Sequence, residues 1–222
     1  MSYYLAPMRV DDIAEVSRVE RQCFSNPWPQ SAYRRELRNL SNNYYVVLWH
    51  RPDNPNEATR QEPRGGLSNL LPFVRRNEQR STDQVVGFGG MWVLYDEAHV
   101  TTIGVAPTHR GRGLGELLLV DLFERAWERK AEWLTLEVRV SNDSAQALYH
   151  KYGFSRQGVR RRYYSDNGED AYIMWSPSLH SAEFEQRFAE LRVAIQQRLD
   201  GAILHDDESS TSFESASSQG AQ

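Results

Sequence analysis

The sequence predicts a mixed α/β fold with one central sheet. Helical and strand patterns interleave in the middle of the chain, whereas strand patterns pair towards its ends, and this order is typical of such folds. The chain has 222 residues, of which 40% are hydrophobic and 11% aromatic, so it can bury a sizeable core. We therefore expect one large domain with appendages.

The composition argues against several classes of protein. The formal net charge is -4, so the chain lacks the overall basic surface of a nucleic-acid-binding protein. Its one cysteine, Cys23, excludes an intrachain disulfide and a metal site built from cysteines. No secretory signal and no membrane-spanning apolar run is evident in the sequence. We expect a cytoplasmic protein that binds no membrane and no metal, and that binds no nucleic acid directly.

The first part of the chain predicts the order strand, helix, helix, strand. Residues 2–10 alternate weakly between apolar and polar, and Asp11 or Asp12 can cap the helix that follows them. Residues 31–40 predict a second, short helix after the stretch NPWP. Residues 44–50, YYVVLWH, are rich in aromatic and β-branched side chains and predict the next strand.

An insertion then interrupts the connection between two strands. Residues 51–83 are rich in proline, glycine, asparagine and charge, which predicts a flexible or disordered loop. The fold resumes in residues 84–107, where two strand patterns meet at a hairpin turn near residues 95–97. The insertion therefore lengthens one connection without dividing the domain.

The second half predicts helices and strands in alternation, followed by a hairpin. Apolar residues at helical spacing predict helices over residues 114–126 and 142–152, and Gly153 ends the second one. Alternating and β-branched residues predict three further strands, at residues 133–140, 154–165 and 169–176. The sequence DNG between the last two predicts a turn.

Two appendages follow the domain of residues 1–177. Residues 178–203 contain a helix with an apolar stripe, which we expect to pack on the domain, the alternative being a dimer seam. The stripe consists of Phe184, Phe188, Leu191, Ile195 and Leu199. Residues 204–222 are acidic and serine-rich, and we expect them to be disordered. The sequence does not indicate an oligomeric state.

The sequence RGRGLG, residues 110–115, lies between a predicted strand and a predicted helix and is a candidate anion site. The first backbone N–H groups of a helix lack helical partners, and the helix dipole adds partial positive charge there. Glycine lets the backbone approach an oxyanion closely, and Arg110 and Arg112 can add charge. The expected anion is a phosphate or a diphosphate; the alternative is a turn that only ends a strand.

The spelling of this loop excludes two common phosphate motifs. No lysine followed by serine or threonine comes after the last glycine, which excludes the nucleoside-triphosphate loop, and the spacing G-x-G-x-G differs from the dinucleotide fingerprint. The loop instead resembles the acyl-CoA loop of the GNAT N-acetyltransferase superfamily, whose motif Arg110, Gly113 and Gly115 match. The resemblance runs from about residue 3 to about residue 177 and leaves out the insertion.

This resemblance implies a GNAT fold. Such a fold is a mixed, mostly antiparallel twisted sheet flanked by helices, to which this chain adds the insertion and the C-terminal helix. The resemblance also implies acetyl-CoA as co-substrate, with its diphosphate on the loop amides and its pantetheine along the preceding strand. The cofactor-binding residues that it implies are Ile103, Gly104, Val105, Arg110, Gly111, Arg112, Gly113, Leu114, Gly115, Glu116 and Asn142.

A narrower resemblance concerns the RimI-type ribosomal-protein-alanine N-acetyltransferases. Three segments carry it: TIGVAPTHRGRGLGELLL, LTLEVRVSNDSAQALYHKYGF and VRRRYYSDNGEDAYIM. It implies that the substrate is the N-terminal alanine of a small-subunit ribosomal protein. It also implies that Trp28, Tyr163 and Tyr164 wall the peptide channel, the alternative being that these rings pack a sheet face. Arg162 departs from the pattern, since the relatives usually carry a small polar residue there.

The same resemblance assigns catalytic roles to two side chains. Glu137 is the general base, acting directly or through water, and Tyr149 protonates the departing sulfur. The alternatives are a strand-edge glutamate paired with an arginine, and a tyrosine of the core. Asn142 binds CoA, caps the following helix, or does both. His99 and His109 are possible bases that we set aside, because such histidines are more often solvated or part of a core.

Proton energetics favour an N-terminal amine over a lysine as the acetyl acceptor. An α-amine of pKa about 7.7 to 8.0 becomes neutral near pH 7 for under about 2 kcal/mol, whereas a lysine of pKa about 10.4 needs roughly 4 kcal/mol or more. Two other functions stay open, acetylation of a small amine or another protein, and a non-catalytic CoA-binding module. The presence of Glu137 and Tyr149 favours an enzyme. Arginines 160–162 could contact ribosomal RNA, but one short cluster is a poor nucleic-acid signal.

Overall fold

The chain forms a mixed sheet with helices on both faces. The computed structural model describes residues 2–52 and 82–199, and the structural statements below concern those residues. The strands are β1 (Ser2–Pro7), β2 (Asn43–Arg51), β3 (Gln84–Leu94), β4 (Glu97–Val105), β5 (Trp133–Arg139), β6 (Ser155–Tyr164) and β7 (Glu169–Trp175). The α-helices are α1 (Ile13–Cys23), α2 (Gln30–Glu36), α3 (Leu114–Glu128), α4 (Asp143–Lys151) and α5 (Ala182–Leu199).

The sheet is antiparallel except at one place in its middle. Its strand order is β1-β2-β3-β4-β5-β7-β6, and only the neighbours β4 and β5 run parallel in this part of the chain. These two strands pair over four residues each, Glu97–Val100 with Trp133–Leu136. After the pair Val100–Leu136, the two described strands are no longer paired with each other, so they diverge there. The predicted mixed, mostly antiparallel sheet flanked by helices is confirmed.

Two hydrophobic clusters lie on opposite faces of the sheet, because side chains alternate along each strand. In β2, Val46 and Leu48 join the cluster that contains α3. Tyr45 and Val47 join the other cluster, which contains α1 and α2 through side chains such as Val16, Val19 and Tyr33. The helices therefore cover both faces, and the place where β4 and β5 diverge lies between them.

The C-terminal helix α5 packs on the domain through its apolar stripe. Phe184, Phe188, Ile195 and Leu199 are buried in the same cluster as α3. The rings of Phe184 and Phe188 lie 5.3 and 5.4 Å from the ring of Phe123. Helix α5 thus contributes to the core of the described structure.

Several boundaries differ from the sequence-based ones by a few residues, and two of these differences have a visible cause in the structure. Helix α2 ends at Glu36, short of residue 40, and the Asn43 amide donates to the Glu36 carbonyl at 3.1 Å. Arg51 belongs to β2 rather than to the insertion, and its Nη2 lies 2.9 Å from the buried carboxylate of Asp83. The Tyr4 hydroxyl also donates to Asp83, at 2.8 Å. Both ends of the insertion are therefore held together by the fold.

Some expectations fall on other parts of the chain. Residues 53–81 of the insertion and residues 200–222, which include the predicted tail, lie outside the described residues. Among the helices that are described, none has both the length and the apolar character needed to cross a bilayer.

Candidate active site

The divergence of β4 and β5 opens a cleft of about 540 Å³. Its walls come from both strands, from α4, from the turn between β6 and β7, and from the segment that joins α1 to α2. Both predicted catalytic residues and all three predicted substrate-binding residues line it, together with two of the predicted cofactor-binding residues: Glu137, Tyr149, Trp28, Tyr163, Tyr164, Ile103 and Asn142. The fold therefore brings together side chains that are up to 136 positions apart in sequence, from Trp28 to Tyr164.

Glu137 holds its carboxylate between two basic side chains. One oxygen lies 3.1 Å from Nε2 of His99, and the other lies 2.8 Å from Nε of Arg160. Burial raises the pKa of Glu137, but the hydrogen bonds and charges of His99 and Arg160 lower it more, so its pKa lies below the ordinary value. The carboxylate is therefore ionised at neutral pH. The pairing with an arginine that the sequence left open is present in the structure.

His99 extends this contact across the sheet face. Its Nδ1 lies 2.9 Å from the hydroxyl of Thr135, which in turn donates to Glu97 at 2.7 Å. The ring stacks on Trp92, with centroids 4.8 Å apart. A second cleft of about 520 Å³ runs along this face and shares Glu137 and His99 with the first one. His99 thus joins the site although sequence analysis set it aside.

Tyr149 lies on α4 with its side chain buried against Phe154, the ring centroids being 5.5 Å apart. Burial, with a smaller contribution from Tyr164, raises the pKa of Tyr149 above its ordinary value. The phenol carries its proton at neutral pH, as an ordinary tyrosine also does, and its side chain lines the cleft. It can act as a proton donor in the cleft.

Asn142 caps α4. Its side-chain oxygen accepts a hydrogen bond from the backbone N–H of Ala145 at 3.2 Å. This satisfies one of the N–H groups that have no partner within a helix. The capping role that the sequence left open is therefore present, at a residue that also lines the cleft.

Two loops meet at the aromatic side of the cleft. Asn26 donates from its amide to the hydroxyl of Ser165 at 3.2 Å, and the neighbouring Ser25 donates to Asp166. Trp28 follows directly, and its backbone N–H donates to Glu20 at 3.1 Å. These contacts join the segment after α1 to the turn between β6 and β7.

The two tyrosines on the opposite wall differ in exposure. Tyr163 is 46% exposed, whereas Tyr164 is covered by Arg139, whose guanidinium carbon lies 3.8 Å from the ring centroid. Arg162, directly before them, has a φ of 51° and donates its backbone N–H to Asp170 at 2.8 Å. This irregularity lies within the register shift between Arg160 and Tyr164.

The glycine-rich loop lies after the end of β4. Gly113 precedes the first residue of α3 and has a φ of 84°, and Gly111 has a φ of 75°, both in the left-handed region that favours glycine. The arginines between and before them are held by oxygen atoms of the protein. Arg110 donates to the carbonyl of Val105 at 3.0 Å, and Arg112 donates to the hydroxyl of Tyr3 at 2.9 Å.

Most of the predicted cofactor-binding residues are not among those that line the cleft. The lining of the cleft ends on β4 at Ile103, so the other predicted cofactor-binding residues of β4 and the loop lie beyond it: Gly104, Val105, Arg110, Gly111, Arg112, Gly113, Leu114, Gly115 and Glu116. Of these, Gly104 and Val105 are buried in the sheet.

Glu116, in the first turn of α3, uses its side chain within the protein. Lys151 and Arg198 each lie 2.5 Å from its carboxylate, and the hydroxyl of Tyr152 donates to it at 2.9 Å. Burial raises the pKa of Glu116, but these three contacts lower it more. The carboxylate of Glu116 is thus engaged within the protein, which the sequence pattern does not indicate.

The sequence did not identify His99 and Arg160 as the side chains that pair with Glu137. The parallel register places His99 beside Thr135, two positions before Glu137 and on the same face of the sheet. With that register known, His99 could have been predicted as a neighbour of Glu137. Arg160 is harder to find, because it lies on β6, which is separated from β5 by β7.

Residues 13–154, more than half of the chain, match the acetyltransferase (GNAT) family. The chain belongs to the GNAT family. The order and direction of its strands, including the divergence of β4 and β5 beside a glycine-rich loop, form the frame that carries the site.

Several individual proteins resemble this GNAT protein. A protein of Bacillus subtilis (strain 168), provisionally named ribosomal protein bS18-alanine N-acetyltransferase, is 36% identical over 168 residues, which cover 76% of this chain and 91% of the relative. The N-alpha-acetyltransferase RimI of Mycobacterium tuberculosis is 34% identical over 169 residues, covering 73% and 85%. The crystal structure of the ribosomal-protein-S18-alanine N-acetyltransferase from Escherichia coli superposes with a TM-score of 0.60 at 25% identity, covering 82% of this chain and 97% of that one.

This GNAT protein is an N-acetyltransferase, and acetyl-CoA is its co-substrate. Among the residues of 2–52 and 82–199, no group of three or more His, Cys, Asp or Glu side chains is arranged to hold a metal ion.

Proposed function

We propose that this acetyltransferase moves the acetyl group of acetyl-CoA to the α-amine of an N-terminal alanine, in a small-subunit ribosomal protein of the cytoplasm. One observation carries the proposal. An ionised carboxylate, Glu137, and a protonated phenol, Tyr149, line the same cleft, which further aromatic side chains also line. The names of the Bacillus and Mycobacterium relatives support the choice of substrate.

The state of Glu137 supports an α-amine as the acceptor. A carboxylate whose pKa is lowered is a weaker base than an ordinary glutamate. Such a base suits an amine of pKa about 7.7 to 8.0, which is partly neutral near pH 7, better than a lysine of pKa about 10.4. We therefore infer that the protein acts on chain termini rather than on lysine side chains.

The proposed reaction is a direct transfer. The neutral amine attacks the thioester carbonyl, so that a C–N bond forms and the C–S bond breaks. Glu137 accepts the proton of the amine, directly or through water, and Tyr149 gives its proton to the departing sulfur of CoA. The diphosphate lies on the amides of the loop at residues 110–116, and Trp28, Tyr163 and Tyr164 hold the peptide.

A panel of acceptors tests this function. We expect acetylation of a peptide with an N-terminal alanine and little reaction with a peptide whose α-amine is blocked and whose only amine is a lysine. Replacing Glu137→Gln should lower turnover about 10²–10⁴-fold at neutral pH, because the amide cannot accept a proton. A higher pH should restore part of the rate, since more amine is then neutral.

Cys23→Ala serves as the control for a covalent route. Cys23 lines the cleft, but direct transfer uses no acetyl-enzyme, so this variant should keep most of its activity. Preference for a free small amine over the peptides would contradict the proposed substrate. Wild-type turnover in Glu137→Gln at pH 7 would contradict the proposed base and direct attention to His99.

A further inference from the structure

The end of helix α5 lies against the glycine-rich loop. Nη2 of Arg198 is 2.5 Å from the carboxylate of Glu116, in the first turn of α3. A Cβ atom added to Gly113 would lie 2.6 Å from Nη2 of Arg198 and 3.1 Å from its Cζ and Nε. The face of the guanidinium therefore covers the glycine at which α3 begins.

The charges at this point do not cancel. Two cations, Lys151 and Arg198, contact the single carboxylate of Glu116, which is 6% exposed. The sum over these three side chains, all within the described residues, is one positive charge, at the helix end that already carries a partial positive charge. The side chain of Arg198 is 50% exposed. A guanidinium has five N–H donors, and the contact with Glu116 uses Nη2.

We propose that Arg198 is a further binding residue for the diphosphate of acetyl-CoA. The inference rests on the proposed role of the loop at residues 110–116 as the diphosphate site. The loop amides bind the diphosphate from one side, and the planar guanidinium, which suits phosphate oxygens, binds it from the other. Glu116 acts as a positioning residue that fixes the guanidinium above Gly113.

The residue that supplies this charge lies beyond the segment that matches the family. The family match ends at residue 154, and Arg198 lies on α5, beyond it. The two arginines of the loop itself, Arg110 and Arg112, donate to Val105 and Tyr3. Arg198 of α5 thus adds a positive charge beside a loop whose own two arginines donate to oxygen atoms of the protein.

Binding of CoA and reaction with a truncated donor test the proposal. Arg198→Ala should weaken the binding of CoA, measured by calorimetry, about tenfold or more, because a charge-assisted contact to phosphate is lost. Arg198→Lys should recover part of the affinity by keeping the charge. With S-acetylpantetheine, a donor that lacks the diphosphate, kcat/KM should be the same in wild type and Arg198→Ala.

Arg192→Ala is the matched control. Arg192 lies on the same helix and pairs with Glu124 at 2.7 Å, six residues before Arg198. Its removal deletes an ion pair of α5 without touching the loop, so CoA affinity should stay within about twofold of wild type. The melting temperatures of all variants show whether the fold is kept. If Arg198→Ala does not fold, Arg198→Gln replaces it, because glutamine keeps a polar side chain without the charge.

Two results would overturn the inference while leaving the proposed function intact. One is equal CoA affinity in wild type and Arg198→Ala. The other is an equal loss of kcat/KM with acetyl-CoA and with S-acetylpantetheine, which would indicate a purely structural ion pair. A wild-type protein that does not bind CoA would instead contradict the proposed diphosphate site itself, and with it the role of Arg198.

Discussion

Tyr149 is the side chain that we propose as the proton donor to the departing sulfur. Burial raises its pKa further above neutrality, so the phenol carries its proton in the cleft. We expect Tyr149→Phe to lower kcat about 10²-fold or more, while the dissociation constant of acetyl-CoA changes little, because the hydroxyl acts on the departing sulfur. Steady-state kinetics and calorimetry measure the two quantities separately.

Tyr45→Phe is the control for that variant. Tyr45 is also a buried tyrosine with a pKa raised by burial, to about 12, and it does not line the cleft. Its loss should leave kcat nearly unchanged. A kcat of wild-type size in Tyr149→Phe would mean that water or another group protonates the sulfur.

At the scale of residues, the resemblance predicted side chains that the fold brings into one cleft, but it did not predict the contacts that each of them makes. Glu137 and Tyr149 come from a local motif, and both line the cleft. The contacts of Glu137 with His99 and Arg160 depend on which strands are neighbours. The sequence pattern does not contain that information, because β5 is followed along the chain by β6 but pairs with β7.

Helix α3 carries a buried acid that makes the stability of this element depend on pH. Burial raises the pKa of Asp121 from 3.8 to about 7, although the hydrogen bond from Tyr44 and the charge of Arg125 lower it. Because the pKa in the folded state is the higher one, Asp121 stabilises the fold below about pH 4. That contribution is lost as the pH rises towards 7.

Asp121→Asn tests this dependence. The amide is neutral at every pH. The free energy of unfolding of the variant, relative to that of wild type, should therefore be higher at pH 8 than at pH 5. Urea unfolding at both pH values measures the difference. Asp11→Asn, which removes the same charge from an exposed position, should show no such gain. A gain of equal size in both variants would contradict a role for burial.

The ends of elements were less predictable than their order. Helix α2 stops at Glu36 because the side chain of Asn43, at the start of β2, donates to its last carbonyl. A contact with a residue seven positions further on has no signature in helix periodicity. In contrast, Gly153 was predictable as the end of α4, since its φ of 83° is a conformation that glycine favours.

For the molecule as a whole, the two C-terminal appendages should differ in their effect on stability. A chain that ends after residue 204 should keep its melting temperature, because the deleted residues 205–222 have few apolar side chains that could pack on the domain. A chain that ends at Ser181 loses four buried side chains of α5, each worth about 1.5–3 kcal/mol, and should unfold at a much lower temperature or aggregate. Differential scanning calorimetry measures both.

Either half of this comparison can fail on its own. A loss of several degrees on removing residues 205–222 would show that the tail packs on the domain. An unchanged melting temperature after removal of α5 would contradict the contacts of Phe184 and Phe188 with Phe123.

The architecture as a whole followed from the sequence, but the placement of α5 on it did not. The alternating patterns and the glycine-rich loop predicted the strands, the helices and their family. The apolar stripe predicted that α5 packs, yet nothing in the stripe indicated that Arg198 would lie on Gly113. That contact depends on the angle at which two helices cross, which is set by side chains from several elements.

The Arg51–Asp83 ion pair has a consequence for protein engineering. It joins the two ends of the insertion, beside the last pairs of β2 with β3. Because the fold already holds these ends together, the length of what lies between them has a small entropic effect, about 0.6 kcal/mol for each doubling. We therefore expect that a reporter domain can be attached between Pro52 and Thr82 without loss of the fold.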